Sequence, residues 1–187
     1  MRAMCGAISD LIRQRAWVVV ALLSACGAVL RLIQIDFQPL WFDEGYSFFF
    51  AGSSIPRLIA DTAVDIHPPL YYLILKGWMA LFGTGVVPAR LLSVAIGAAT
   101  IPLLHQLGRR LAGESAGLWA AALLAFSPLH IYYSQEVRMY GLVTLLSLLA
   151  GLLTLRAIDR VKPAGPWIGA GLAMAAALYT QYYAIFT

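Results

Sequence analysis

Trp41-Phe42-Asp43-Glu44-Gly45-Tyr46-Ser47 sets two adjacent carboxylates in an aromatic frame, just past the end of an apolar stretch. An ionised side chain beside a bilayer is costly unless it meets water, a cation or a substrate, so the pair is a functional candidate. The plain alternative is a solvated loop in which Asp43 caps the next helix. A carboxylate at the water boundary can serve as general base for a hydroxyl nucleophile. If the pair begins a helix, consecutive side chains diverge by about 100°, so the two take separate roles. Asp43 is assigned the base and Glu44 its support.

Two further clusters combine ionisable groups with aromatics: Asp65-Ile66-His67-Pro68-Pro69-Leu70-Tyr71-Tyr72, and the segment from Ser127 to Tyr140, which holds His130, Tyr132, Tyr133, Gln135, Glu136 and Arg138. Arg138 can hold a phosphate oxygen by charge-assisted hydrogen bonds, with Glu136 positioning it or touching an acceptor or metal. The alternative is an Arg-Glu pair that neutralises itself at a helix end. His67, held rigidly ahead of two prolines, can bind metal or phosphate, or be a simple loop histidine. Tyr71, Tyr133, Gln135 and Tyr140 are carried as donor-contacting candidates, against the reading of interfacial tyrosines as an anchoring belt. A divalent cation is a candidate cofactor, with Glu44, His67 and Glu136 as its candidate ligands. His105 and the thiols of Cys5 and Cys26 are given no role.

These clusters need elements to hold them. With 61% hydrophobic and 12% charged residues, the chain is far more apolar than a soluble domain, and the expected class is an all-α integral membrane bundle. Its net charge of +4 comes from scattered basic residues that form no stripe, so no nucleic-acid partner is expected. Apolar runs predict spans over 16–35, 87–107, 115–131, 139–157 and 167–186, after a tail of residues 1–15. The run ending Leu23-Ser24-Ala25-Cys26 also resembles a lipoprotein signal, but its continuation to Ile35 fits a spanning helix better.

Residues 68–82 are short for a span and carry Lys76 at the middle. Lys and Arg in short loops accumulate on the cytoplasmic side. Arg2, Arg13 and Arg15 then put the N-terminus inside. Arg109-Arg110 and the Arg156, Arg160, Lys162 group fall inside only if 68–82 does not cross. That segment is therefore read as an interfacial or re-entrant helix within an extracytoplasmic loop 36–86, with Tyr71, Tyr72 and Trp78 at the interface and Lys76 reaching for water. The same orientation puts Asp36, Asp43, Glu44, Asp61, Asp65 and Glu136 on the outer face, and brings Gln181, Tyr182 and Tyr183 towards it.

At these residues the chain resembles the bacterial relatives of protein O-mannosyltransferases, membrane glycosyltransferases of the GT-C fold that use polyprenyl-phosphate-linked sugars. The resemblance runs from Arg31 to Thr187. It is carried by Trp41 to Ser47, the His67-Pro68-Pro69-Leu70-Tyr71-Tyr72 segment, Ala89-Arg90-Leu91-Leu92-Ser93, Leu107-Gly108-Arg109-Arg110-Leu111, the Ser127 to Tyr140 run and Tyr179-Thr180-Gln181-Tyr182-Tyr183-Ala184. It implies that Asp43 is the catalytic acid-base residue in the first extracytoplasmic loop and that Glu136, in the second, sits near donor and acceptor. Relatives commonly place His where this chain has Gln181; Gln181 and Tyr182 remain donor-binding candidates. Relatives also continue through several more spans, so the chain is expected to be an N-terminal catalytic portion of the cytoplasmic membrane enzyme. The implied partners are a polyprenyl-phosphate sugar, membrane lipid and a glycan, lipid or protein acceptor. The rivals are a lipid-linked sugar flippase, which predicts ionisable groups near mid-span, and a non-catalytic membrane subunit.

Overall fold

The computed structural model describes residues 2–159 and 164–186, with side chains from residue 15 onward. Arg160 and Lys162, and the side chains of Arg2 and Arg13, all used above to orient the chain, lie outside that description. The described residues form helices and no strand: α1 (Arg2–Leu32), α2 (Phe42–Gly52), α3 (Ile55–Ala63), α4 (Leu70–Phe82), α5 (Val86–Ala112), α6 (Glu114–Ala125), α7 (Pro128–Tyr133), α8 (Tyr140–Ile158) and α9 (Ala164–Leu178), then a 3₁₀ turn over Tyr182–Phe186. The helical membrane bundle expected from composition is what forms. Among the described residues, three helices are long and apolar enough to cross a bilayer, at Arg15–Leu32, Val86–Ala112 and Tyr140–Ile158. The helix of α1 also runs back through the segment read as a tail.

The other two expected spans are divided. Over 115–131 the helix stops at Ala125 and restarts at Pro128. Pro128 offers no N–H to continue the ladder and pushes Ser127 into an extended conformation, φ −66° and ψ 116°. Ser127 Oγ then accepts from His130 N at 3.4 Å and starts α7. The 12 residues of α6 reach about 18 Å, short of the roughly 30 Å hydrocarbon core. Over 167–186, α9 ends at Leu178, where Tyr179 O accepts from Leu70 N at 3.0 Å. That bond ties the end of α9 to the start of α4.

The long helix α5 is central and packs against α1, α4, α6 and α8, while α8 pairs with α9. The α5–α6 hairpin turns at Gly113, whose φ of 89° favours glycine. Its helices approach so closely that a Cβ on Gly117 would sit 2.6 Å from His105 O. Away from the clusters identified above, this end of the bundle is charged: His105 Nε2 lies 2.8 Å from Glu114 Oε1, Arg156 donates to Gln106, and Arg110 pairs with Asp159.

The side-chain placements expected for α4 need correction. Tyr71, Tyr72 and Leu75 have no exposed surface and join Phe50, Leu58, Leu92, Val137 and Met139 in the main core. Lys76 does not reach for water. Its Nζ donates to Ala51 O at 3.1 Å and Ser53 O at 2.7 Å, placing a cation on the carbonyl end of α2. Trp78 Nε1 donates to Pro88 O at 2.8 Å. Packed on α2 and α5, the helix turns Tyr71 and Tyr72 inward, while Ile74, Leu81 and Phe82 stay exposed. The exposed aromatic face belongs instead to α2, where Phe42, Tyr46 and Phe49 repeat at helical spacing.

Candidate functional site

The site is organised around Glu44, the third residue of α2. Trp41, not Asp43, is the residue at which this helix begins, and its N–H donates to Glu44 Oε2 at 3.4 Å. Arg90, projecting from α5, donates from Nε to Glu44 Oε1 at 3.0 Å and from Nη2 to Oε2 at 2.7 Å. Val137 N donates to Oε1 at 2.9 Å. The carboxylate has no exposed surface, and the remaining guanidinium nitrogen, Nη1, donates to Ile35 O and Gln38 O. A two-pronged pair of this kind fixes orientation as well as charge. Glu44 thus joins α2, α5 and the segment before α8.

The 100° step from Glu44 turns its neighbour outward. Asp43 lines a cleft of about 290 Å³ with Tyr46, Phe50, Asp65, Ile66, His67, Tyr72 and Arg138, and its side chain is 37% exposed. Arg138 faces it from the opposite segment. Its Nη1 donates to Asp43 O at 3.2 Å, its Nη2 lies 3.6 Å from Asp43 Oδ2 and 3.4 Å from His67 Nε2, and its Nε is buried without a partner. The guanidinium lies 5.6 Å from the Tyr140 ring centroid. One wall therefore offers an accessible carboxylate and the other a nearly buried cation.

Other candidates take different places. Tyr71 is wholly inside the core, and Tyr72, one step round α4, lines the cleft in its stead. Gln135 Nε2 donates to Arg31 O and Ile33 O, holding the end of α1. Tyr133 and Tyr140 line a separate cavity of about 270 Å³ with Ser127, His130, Ser134 and Thr144. Gln181 and Tyr182 lie at the end of α9 tied to Leu70 and do not line the cleft. Asp65, Tyr46, Tyr72 and Arg90 lie inside the motifs named from the sequence but were given no role in the site there. Arg90 carried a signal, since an arginine inside an apolar run is a functional or structural site by default. Arg31 carried the same one: it is buried in α1 and donates to Gly27 O, Ala125 O and Leu124 O.

Glu136 is 2% exposed, and its carboxylate oxygens have no close hydrogen-bond partner, the Tyr132 hydroxyl being the donor that acts on them. Its own carbonyl accepts from Ser93 Oγ at 2.5 Å and from Arg138 N at 2.9 Å. Burial pushes its carboxyl above the ordinary value; the Tyr132 hydroxyl opposes this, the nearby Glu44 charge adds to it, and Arg138 and Arg90 act against it. A carboxyl raised on folding favours the folded state while protonated, and that contribution is lost as pH rises from the ordinary value through the raised one. Glu136→Gln is therefore expected to raise the thermal midpoint at neutral pH and leave it unchanged in acid, as read by unfolding scans across pH.

The candidate cation ligands do not assemble. Glu44 is occupied by Arg90 and backbone N–H groups, and among the described residues no group of three or more His, Cys, Asp and Glu side chains gathers at metal-binding range. The residues present do not fit a cation held by Glu44, His67 and Glu136 together. No curated protein and no solved structure matches the chain at a significant level. Residues 66–187 match one family, described as dolichyl-phosphate-mannose-protein mannosyltransferase; the matched segment holds His67, Arg90, Glu136 and Arg138, and Asp43 precedes it.

Proposed function

The chain belongs to the dolichyl-phosphate-mannose-protein mannosyltransferase family, and from that membership we propose that it transfers a sugar from a polyprenyl-phosphate-linked donor to an acceptor hydroxyl on the extracytoplasmic face of the cytoplasmic membrane. The observation that supports this most is the pairing of Asp43 with Arg138 across one cleft. A carboxylate on one wall and a cation on the other are what direct displacement at an anomeric carbon requires. Asp43 takes the acceptor O–H proton as the hydroxyl oxygen bonds to the anomeric carbon. The bond from that carbon to the phosphate oxygen breaks, its electron pair leaves with the lipid phosphate, and Arg138 stabilises the charge that develops there. Attack opposite the leaving group inverts configuration. No step is routed through a metal.

The sugar and lipid are separated by the same arrangement. The phosphosugar meets the cleft, while the lipid tail stays in the apolar phase beside the helices. The flippase reading gains nothing from the two intrahelical arginines, because Arg31 and Arg90 have their donors taken by carbonyls, Ser134, His130 and Glu44. The orientation is supported by Arg109, Arg110 and Arg156 at the far end of the bundle, the end that the positive-inside rule assigns to the cytoplasm.

The test is to incubate membranes holding the full chain with polyprenyl phosphate bearing a labelled sugar. The expected result is label on a hydroxyl acceptor with matching release of free polyprenyl phosphate. Label that crosses the bilayer while still attached to its lipid would overturn the proposal in favour of translocation.

A further inference from the structure

His67 sits between two charged partners, one facing each of its ring nitrogens. Its Nδ1 lies 3.3 Å from Asp65 Oδ2, and its Nε2 lies 3.4 Å from Arg138 Nη2. A guanidinium only donates, so Nε2 must present a lone pair to Arg138. In the neutral ring the proton is then on Nδ1, facing the carboxylate. A doubly protonated ring would put N–H against N–H at Arg138. The Asp65 carboxylate is itself held in place, since Oδ2 also accepts from His67 N at 3.3 Å, and Pro68 restricts the backbone that follows.

We propose that Asp65 is a positioning residue of the cleft, acting through His67 to aim Arg138. The sequence of contacts is Asp65 Oδ2, His67 Nδ1–H, His67 Nε2, Arg138 Nη2. Because both nitrogens of His67 are engaged, the imidazole is an acceptor that steadies the cation and not a donor to phosphate. Arg138 is thereby held at both ends of its fork, Nη1 by Asp43 O and Nη2 by His67. The N–H groups of Nη1 and Nη2 that these partners leave unused are the donors available to an anion, while Nε is buried without a partner. Asp65 itself is about a third exposed at the cleft wall, and needs only its acceptor oxygen for this role.

The kinetic arm rests on the sugar-transfer reading; the spectroscopic arm does not. Full chain labelled with nitrogen-15 histidine is measured by NMR in lipid nanodiscs, the His67 signals being assigned by their loss in His67→Gln. The unmodified chain should show His67 as the Nδ1–H tautomer, and Asp65→Ala should move it towards Nε2–H. Transfer from labelled polyprenyl-phosphate sugar should fall about tenfold in kcat for Asp65→Ala, the worth of one hydrogen bond to a charged group, with donor KM within about twofold. Asp65→Asn, whose amide oxygen still accepts from Nδ1–H, should recover most of the rate. An Nε2–H or doubly protonated His67 in the unmodified chain, an unchanged tautomer in Asp65→Ala, or Asp65→Asn as slow as Asp65→Ala would each overturn the proposal. The expected tautomers without any transfer would uphold it and sink the transfer reading instead.

Discussion

Asp43→Asn is expected to lower sugar transfer by about 10²- to 10⁴-fold, the usual worth of a positioned general base. The substitution keeps the shape of the side chain and replaces the basic carboxylate, to which the proposed mechanism gives the acceptor proton, with a non-basic amide. Little else should change. Asp43 is the half-exposed member of the acidic pair, and its hold on Arg138 includes a backbone carbonyl that the substitution does not touch. Folding, membrane insertion and donor binding are therefore expected to survive, as measured by thermal unfolding and by retention of labelled polyprenyl-phosphate sugar. Turnover within about tenfold of the unmodified chain would remove Asp43 from the base role.

The second large effect is on stability. Arg90→Met should destabilise the fold by roughly 3–5 kcal/mol, because it leaves the Glu44 carboxylate buried with its main partner gone. The pair is 2% and 0% exposed, so water cannot replace the lost guanidinium without opening the core. Ile35 O and Gln38 O lose their donor at the same time. The double variant Arg90→Met with Glu44→Leu should recover part of this loss, since no charge is then stranded. Denaturant titration in mixed micelles reads both. A single variant as stable as the unmodified chain would show that Glu44 finds water in the folded state.

The membrane class and the long apolar helices α1, α5 and α8 were legible in the residues, because they rest on composition, while the expectation that Asp43, His67 and Arg138 share one face came from charge bias and the family resemblance. The Ser127-Pro128 break was also written locally, as an extended residue ahead of a proline, and was passed over because the apolar run continues through it. The pairing of Glu44 with Arg90 was not legible. It joins residues 46 apart, and nothing in a carboxylate's own neighbourhood says which distant cation will meet it. The same holds for α4: apolar and aromatic residues read alike whether lipid or other helices cover them, and only packing against α2 and α5 sends Tyr71 and Tyr72 inward.

Glu44 and Val137 share a hydrogen bond, and the residues adjoining them in the chain, Asp43 and Arg138, are the ones that face each other across the cleft. The two facing groups are therefore joined through a contact one residue away from each, and Arg90 of α5 clamps the same carboxylate. In the proposed mechanism the spacing of base and cation is thus set by a local hydrogen bond and not by the distance between whole helices.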